Sequence, residues 1–486
     1  MATVLGAESS RSGTVVELRD AEDGRLLATE RVAHRDLDPC RQDPASWWDS
    51  LVEAAGRLGA GAGPVLDVAA LAVAGQRQAL VLVDTAGAAL GPASLRGDVA
   101  AAATAARLVT THGAGRLARA TGLVPRASTP LARLALALSH SPRLLDDLGG
   151  IHGAGDHLVA RLTGRAATDR SGASATGWWS PADDRWHDAY LRRILGTGPT
   201  AGWGPRLPLI VAAGAPADWA GASVHELLGL RGRPLVAGGT TDLAAAAEAA
   251  ALRPGETLLL AIDGAGIACR AADEAVFDES GAVDGLAGAG HSFLPTTDTV
   301  DPAGALATAA AVLGLDGPGG LAALAVDAPA PSADGPLLVP ARTEPGAVEH
   351  PGFLLGIRTG TTRAHAARGA LLGIAATLVL AAERLTEAGA PGAGTIVLTG
   401  PEAGLSTLAE AVADIAGRPV AVPLTPATPV LGAAVLAAAA LYRRPPARVA
   451  EAWGLGARAE VGPRGDVDGP AVLERLRELR KTTKMS

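Results

Sequence analysis

A chain of 486 residues is longer than one ordinary hydrophobic core supports, so two or more domains are expected. Apolar residues make up 48% of it, and no polar tract is long enough to stay disordered, which predicts packed globular domains. The formal charge of -8 excludes a general nucleic-acid surface, because no basic stripe is present to replace phosphate counterions. Phe, Tyr and Met are scarce, so the core must be built from Ala, Val and Leu. Cys40 and Cys269 lie far apart and form no metal-ligand spacing, which fits a reducing compartment. No charged leader opens the sequence, and its longest apolar runs are broken by Gly, Pro or Arg short of a membrane span. A cytoplasmic protein with no membrane partner is expected.

The first part of the chain reads as a β-meander interrupted by one helix. Residues 3–6 form a short strand, 8–12 a tight polar turn and 14–18 a second strand, and Asp23-Gly24 is a hairpin signal before a strand over 26–32. Asp43 as cap and Pro44 at the first position start a helix over 45–58, with Trp47, Leu51, Ala54 and Leu58 on one face. Residues 68–74 form a buried strand ending at Gly75-Gln76. In the second half two strands flank a turn at Asp263-Gly264. A long helix over 363–388, a strand at 395–398, a helix at 405–416, a strand at 419–422 and a helix at 429–442 follow. Meander, helix, strand, helix thus occurs twice, which predicts one topology used twice with a cleft between the copies. The boundary falls at Leu252-Arg253-Pro254-Gly255 and gives domains 1–252 and 253–486. Residues 316–335 read as a loop excursion, and 472–481 as a charged amphipathic helix.

Asp242 has the most informative setting. A strand from Pro234 runs into Gly238-Gly239, and an alanine-rich helix opens directly behind the carboxylate. A carboxylate at a strand's end, beside a helix N-terminus and a glycine-opened backbone, stands where a substrate hydroxyl could lose its proton. The residues alone leave two roles open for it, general base and plain helix cap.

Several segments, in order over nearly the whole chain, resemble the FGGY carbohydrate kinases, and within them the xylulokinase branch. They are Arg41-Gln42-Asp43-Pro44 with Trp47-Trp48, Val73-Ala74-Gly75-Gln76, and Pro92-Ala93 leading to Asp98. Thr163-Gly164 with Thr168-Asp169 and Ser171, Pro234 through Asp242, Gly352 through Gly356, and Leu431-Gly432-Ala433-Ala434 continue the series. The resemblance implies an α/β chain with the actin-like ATPase fold, two ribonuclease-H-like domains about a central cleft. The first domain would carry the sugar side and the catalytic Asp, the second the nucleotide side. The implied reaction is transfer of the γ-phosphoryl of ATP to a sugar or polyol hydroxyl, assisted by Mg²⁺, with Asp242 as base. Gln76, Arg77, Gln78 and Asp98 would contact the sugar. Glu8 would organise the metal, and Glu8, Ser10, Arg11, Ser12, Gly264, Gly266, Gly400 and Glu402 would line the nucleotide. A homodimer is the assembly expected.

Three nucleotide segments depart from the family pattern. Its first phosphate turn, Asp-x-Gly-Thr, is Glu8-Ser9-Ser10-Arg11 here. Glu8 keeps a carboxylate, Ser10 removes a glycine that lets backbone approach phosphate, and Arg11 is a candidate clamp. The second turn, Gly-Thr-Ser-Gly, is Asp263-Gly264-Ala265-Gly266, and the adenosine loop is Thr399-Gly400-Pro401-Glu402-Ala403, where Pro401 removes a donor. On the sugar side Arg77-Gln78-Ala79, Arg96-Gly97 and Leu243 replace Met-His-Gly, Trp-Asn and Asn. Two further readings stay open: a catalytically impaired relative acting as a sugar-binding or regulatory protein, and a phosphotransferase for an acidic substrate held by Arg77 and Arg96. His152 and His157 make a poor ligand pair, and Trp178, Trp179 and Trp186 read as packing residues.

Overall fold

The computed structural model describes residues 2–62, 67–198, 202–262, 264–290, 292–326, 328–329, 334–341, 351–392, 394–400 and 406–483. The chain separates into two compact units. One comprises Met1–Ala251, Asp273–Leu294 and Ala427–Gly456, the other Leu252–Ala272, Pro295–Pro426 and Ala457–Ser486.

In the first unit β1 (Thr3–Ser9) pairs antiparallel with β2 (Gly13–Asp20), which pairs with β3 (Leu26–Ala33). The helix α1 (Pro44–Ala62) starts as expected, with Asp43 Oδ1 accepting from Ala45 N at 3.0 Å. Its Trp47, Leu51, Ala54 and Leu58 are all buried. It returns the chain to β4 (Ala70–Gly75), which lies parallel to β1 and is buried at every residue. A strand covered on both faces reads as a continuous apolar run, which explains the missing alternation in Ala-Leu-Ala-Val-Ala-Gly. There follow α2 (Ala154–Thr163), α3 (Arg170–Ser174), β5 (Pro216–Trp219), β6 (Leu235–Ala237), β7 (Thr240–Thr241) and α4 (Asp242–Ala249). The sheet order is β3-β2-β1-β4-β6-β5, with β7 also paired to β4. The helix Pro429–Tyr442 packs against this sheet and α4 at backbone distance. A Cβ on Gly6 would lie 2.4 Å from Val430 O, and one on Gly432 would lie 1.8 Å from Ala245 O. A core poor in aromatic residues is filled by bringing backbones together.

The second unit repeats the order. The strands β8 (Thr257–Ile262) and β9 (Ala265–Arg270) form a hairpin, and β9 pairs antiparallel with β10 (Phe293–Thr299). The helix α5 (Arg363–Glu387) leads to β11 (Ile396–Leu398), parallel to β8, and α6 (Ser406–Ala416) to β12 (Val420–Pro423), parallel to β11. A last strand, β13 (Arg458–Val461), lies antiparallel on β12, so the order is β10-β9-β8-β11-β12-β13. By length and composition α5 could cross a membrane, but 89% of its apolar window is buried inside the protein, where it serves as a core helix. Its Arg368, 1% exposed, pairs with Asp414 of α6 at 3.2 Å and with Asp466 at 3.0 Å.

Two expectations fail. Glu8 and Ser9 extend β1 instead of opening the turn, because β1 has a partner on each side there: Ser9 faces Thr14 on β2 and Gly75 on β4. The turn shrinks to residues 10–12, closed by Ser10 N donating to Gly13 O at 3.0 Å. Within 316–335, Gly317–Val326 is a helix, not a loop. Its proline sits in the first turn, where a missing N–H costs nothing, and burial of Leu321, Ala322 and Ala325 outweighs the glycines.

Candidate functional site

Strands β1, β4 and β7 run parallel and end together. Glu8 and Thr240 lie opposite Ala74 on either side of β4, and Ser9 and Thr241 lie opposite Gly75. At ordinary strand spacing the Glu8 and Thr240 backbones are about 10 Å apart. The carboxyl ends of these strands therefore place Glu8, the segment from Gln76 to Gln78, and Asp242 along one sheet edge. Open α/β sheets gather ligand-binding groups at such an edge.

The glycine pair before Asp242 has a steric cause. Leu235 faces Ala70 and Thr240 faces Ala74, so the strand carries one residue more than β4 between these points. The excess bulges at Gly238-Gly239. There Gly239 N donates to Ala167 O at 2.9 Å, and Gly239 O accepts from Asp169 N at 2.8 Å. A Cβ on Gly238 would lie 2.3 Å from Val211 Cγ2, and one on Gly239 would lie 2.7 Å from the Gly155 carbonyl carbon. A side chain at 239 would meet backbone, whereas one at 238 would have to displace Val211.

The cap of α4 is Thr241, whose Oγ1 accepts from Ala244 N at 3.3 Å. Asp242 is thus the first helical residue and not the cap. Its carboxylate is 5% exposed and accepts from Leu243 N at 2.7 Å through Oδ1. Arg77 Nη1 stands 3.4 Å from each carboxylate oxygen, a long, forked contact rather than a tight bidentate pair.

Gln78 has a φ of 59°, a region that side chains rarely occupy and that active sites often hold under strain. Its carbonyl accepts from the buried Arg133 guanidinium, which also reaches Ser128 O, Ser94 O at 2.6 Å and Ser94 Oγ at 3.1 Å. Burial pushes Arg133 down to about 9. Gln76 Nε2 and Gln78 Oε1 are buried without a hydrogen-bond partner, which is costly unless a polar ligand completes them. Gln76, Arg77 and Gln78 line a cavity of about 30 Å³, room for one water, together with Asp156, Thr240 and Thr241. Asp98 does not line it. Its oxygens accept from Ala100 N at 2.9 Å, Ser94 Oγ at 3.0 Å and Arg41 Nε at 3.2 Å. Burial pushes the Asp98 carboxyl up, but those hydrogen bonds and the Arg41 charge win and hold it below the usual range. It joins the glutamine segment only through Ser94 and Arg133.

The turn after β1 uses its own hydroxyls. Ser10 Oγ donates to Gly13 O at 3.1 Å and accepts from Ser12 N at 3.2 Å, and Ser12 Oγ accepts from Arg31 Nη2 at 3.1 Å. Arg11 is exposed, and its carbonyl accepts from Gln42 Nε2 at 2.8 Å. Among the described residues no three His, Cys, Asp or Glu side chains group to hold a resident metal. A single carboxylate such as Glu8 fits Mg²⁺ arriving with a nucleotide, since that ion keeps waters and phosphate oxygens and takes one or two carboxylates.

In the second unit β8 and β11 are parallel, with Leu259 opposite Leu398, so the β8–β9 turn and Gly400 emerge at the same sheet end. Gly264 and Gly400 have φ of 78° and 119°, and a Cβ on Gly266 would lie 1.7 Å from Val300 O. Asp263, Pro401, Glu402 and Ala403 lie outside the described residues.

Sequence reasoning passed over the buried Asp156 and the half-buried Glu248, and it took Asp169 only as part of a family-like segment. Asp156 accepts from Gly153 N at 2.8 Å in the first turn of α2, and burial pushes it up to about 6. Asp169 caps α3, and burial pushes it up to about 6 as well. Glu248 is pushed up to about 7 by burial and by the charge of Asp169.

Two family models match the chain. The FGGY family of carbohydrate kinases, N-terminal domain, covers residues 13–248, and the C-terminal domain of the same family covers residues 284–441. The xylulose kinase of Streptomyces coelicolor is 31% identical over 455 residues, spanning 93% of this chain and 90% of that protein. That of Streptomyces rubiginosus is 33% identical over 459 residues, with coverage of 93% and 90%. The crystal structure of xylulose kinase from Bifidobacterium adolescentis superposes with a TM-score of 0.76 at 26% identity, covering 93% of this chain and 99% of that one. The five-strand order shared by both units is the duplicated ribonuclease-H-like order of the actin-like ATPase fold. The chain belongs to the FGGY family of carbohydrate kinases, enzymes that phosphorylate sugars.

Proposed function

We propose that this kinase transfers the γ-phosphoryl of Mg²⁺–ATP to a hydroxyl of a ketopentose, xylulose first among them, with Asp242 as general base. One observation carries the reading. Asp242 sits at the end of β7 on the same sheet edge as Glu8, and Thr241 relieves it of capping its helix. The xylulose kinases of two Streptomyces species, alike over nine-tenths of the chain, support the choice of sugar. As the sugar oxygen attacks phosphorus, Asp242 takes its proton. The base adds about 10²–10⁴-fold, and positioning with charge neutralisation supplies the larger share.

In this reading Glu8 meets Mg²⁺ through water, and the unpartnered amide groups of Gln76 and Gln78 receive sugar hydroxyls. Arg77 holds Asp242 in the absence of substrate, and Asp98 acts through Ser94 and Arg133 on the shape of the glutamine segment. Ser10, Arg11 and Ser12 shape the first phosphate turn, and Gly264, Gly266, Gly400 and Glu402 form the nucleotide side. The chain is assigned a sugar domain over 1–252 and a nucleotide domain over 253–486, a cytoplasmic location and a homodimeric assembly. Family membership weighs against a non-catalytic sensor. The engagement of Arg77 with Asp242 weighs against an acidic-substrate clamp.

The test is ADP release over a panel of ketopentoses, aldopentoses, polyols and sugar acids. Xylulose-dependent ADP formation above all others is expected. A sugar acid as the best substrate, or no sugar-dependent ADP at all, would refute the assignment.

A further inference from the structure

Asp242 is held by more than its own helix. Asp169, 2% exposed, accepts through Oδ1 from Ser171 N at 2.9 Å, Gly172 N at 3.2 Å and Ser171 Oγ at 2.6 Å. A serine hydroxyl has one proton to give and two lone pairs to offer. With the proton committed to the carboxylate, Ser171 Oγ offers its two lone pairs to Thr241 N, 3.1 Å away, and to the Thr241 hydroxyl, 3.2 Å away, while the Thr240 hydroxyl turns its proton to Asp169. The Thr241 hydroxyl donates to Ser171 and keeps a lone pair for Ala244 N at 3.3 Å, the bond that caps α4. The carboxylate can only accept, and that fact sets the direction of the whole chain from Asp169 to the first turn of α4. Every member is buried: Ser171 is 2% exposed and Thr241 is 8% exposed. The other end of α3 is anchored too, since Ser174 Oγ donates to Ser171 O at 3.0 Å and accepts from Ala287 N at 2.9 Å.

We propose that Asp169 and Ser171 are positioning residues for phosphoryl transfer, aiming the Asp242 carboxylate by fixing Thr241, the residue that precedes it and caps its helix. The inference rests on the reading of Asp242 as the base. Neither residue touches the reacting atoms. Loss of the Ser171 hydroxyl removes the acceptor for Thr241 N and lets the first turn of α4 rotate. A misplacement of about 1 Å at a reacting group costs about 10²-fold in rate.

The experiment compares Ser171→Ala, Ser171→Thr and Asp242→Asn in the full chain. It reads kcat, KM for xylulose and the thermal midpoint of each. Ser171→Ala is expected to lower kcat about 10- to 100-fold, with KM within about threefold of the parent. Ser171→Thr, which keeps the hydroxyl, is expected to recover most of kcat. A merely structural role would appear in the thermal midpoint and leave kcat per folded molecule unchanged. If Asp242→Asn is inactive while Ser171→Ala turns over like the parent, or Ser171→Thr fails to rescue, the positioning role is wrong and the base assignment stands. If Asp242→Asn itself turns over normally, the base assignment falls and takes the positioning role with it.

Discussion

In the first unit the carboxyl ends of β1, β4 and β7 bring side chains to the sheet edge: Glu8, Gln76, Gln78 and Asp242. In the second unit the described residues at the matching ends of β8 and β11 include glycines, with left-handed φ at Gly264 and Gly400, and the start of β9 has no room for a Cβ at Gly266. Five strands keep one order in both, β3-β2-β1-β4-β6 and β10-β9-β8-β11-β12, whereas the edge strand β5 precedes β6 in the chain and β13 follows β12. The contrast at the strand ends follows the chemistry each half is assigned. Taking a proton and reading hydroxyls require directed side chains, whereas phosphates are met by backbone N–H groups that must come close.

Substitutions can break that contrast, and the largest effect is expected at Asp242. Asp242→Asn should lower kcat by about 10²–10⁴-fold while leaving the unfolding midpoint and sugar affinity near those of the parent. Loss of affinity instead of turnover would make Asp242 a sugar ligand. Glu8→Gln should cost about 10- to 100-fold, in part recovered by raising Mg²⁺; a deficit indifferent to Mg²⁺ would remove Glu8 from metal organisation. On the glycine side, Gly266→Ala forces its Cβ against Val300 O and should destabilise the chain by about 1–3 kcal/mol. Unchanged denaturant unfolding would show that the β8–β9 hairpin has slack.

The last prediction concerns pH. Burial pushes His152 and His157 down to about 4, so both are neutral in the folded chain and take up protons on unfolding below about 6.5. Their contribution is full above 6.5 and is lost as pH falls toward 4, by about 1.4 kcal/mol per pH unit for each histidine. Asp156, Asp169 and Glu248 work in the opposite sense, because their raised values penalise the folded state as pH rises through about 6 to 7. The histidine share is isolated by comparing His152→Gln with the parent in urea at pH 7 and pH 5. Whatever its absolute stability, the variant should gain on the parent at the lower pH; a constant gap would contradict the sign.

Much of the scaffold was legible in sequence because the apolar strands end at glycines and the helices carry caps. Asp43-Pro44 announced α1, and the strand–glycine–Asp order announced the edge where Asp242 stands. The boundary of β1 was misread because Glu8 and Ser9 look like turn residues, and only pairing on both sides makes them strand. The helix over Gly317–Val326 was misread because burial outweighed local glycine content. Asp156 was missed, and Asp169 was read only as part of a family-like segment, for another reason: sequence shows a carboxylate, not the burial that raises it, and Asp169 comes beside Thr241 only through Ser171, far from it along the chain. Arg77 read as a sugar contact or as a holder of an acidic substrate, and only the fold places it against Asp242.

The central claim is phosphoryl transfer to a sugar hydroxyl through Asp242, and ³¹P NMR of the full chain with Mg²⁺–ATP and xylulose tests it most directly. The account predicts a sugar phosphomonoester resonance growing in step with ADP, absent when Asp242→Asn replaces the parent. Inorganic phosphate growing in its place, or the same phosphomonoester at parental rate from Asp242→Asn, would contradict it.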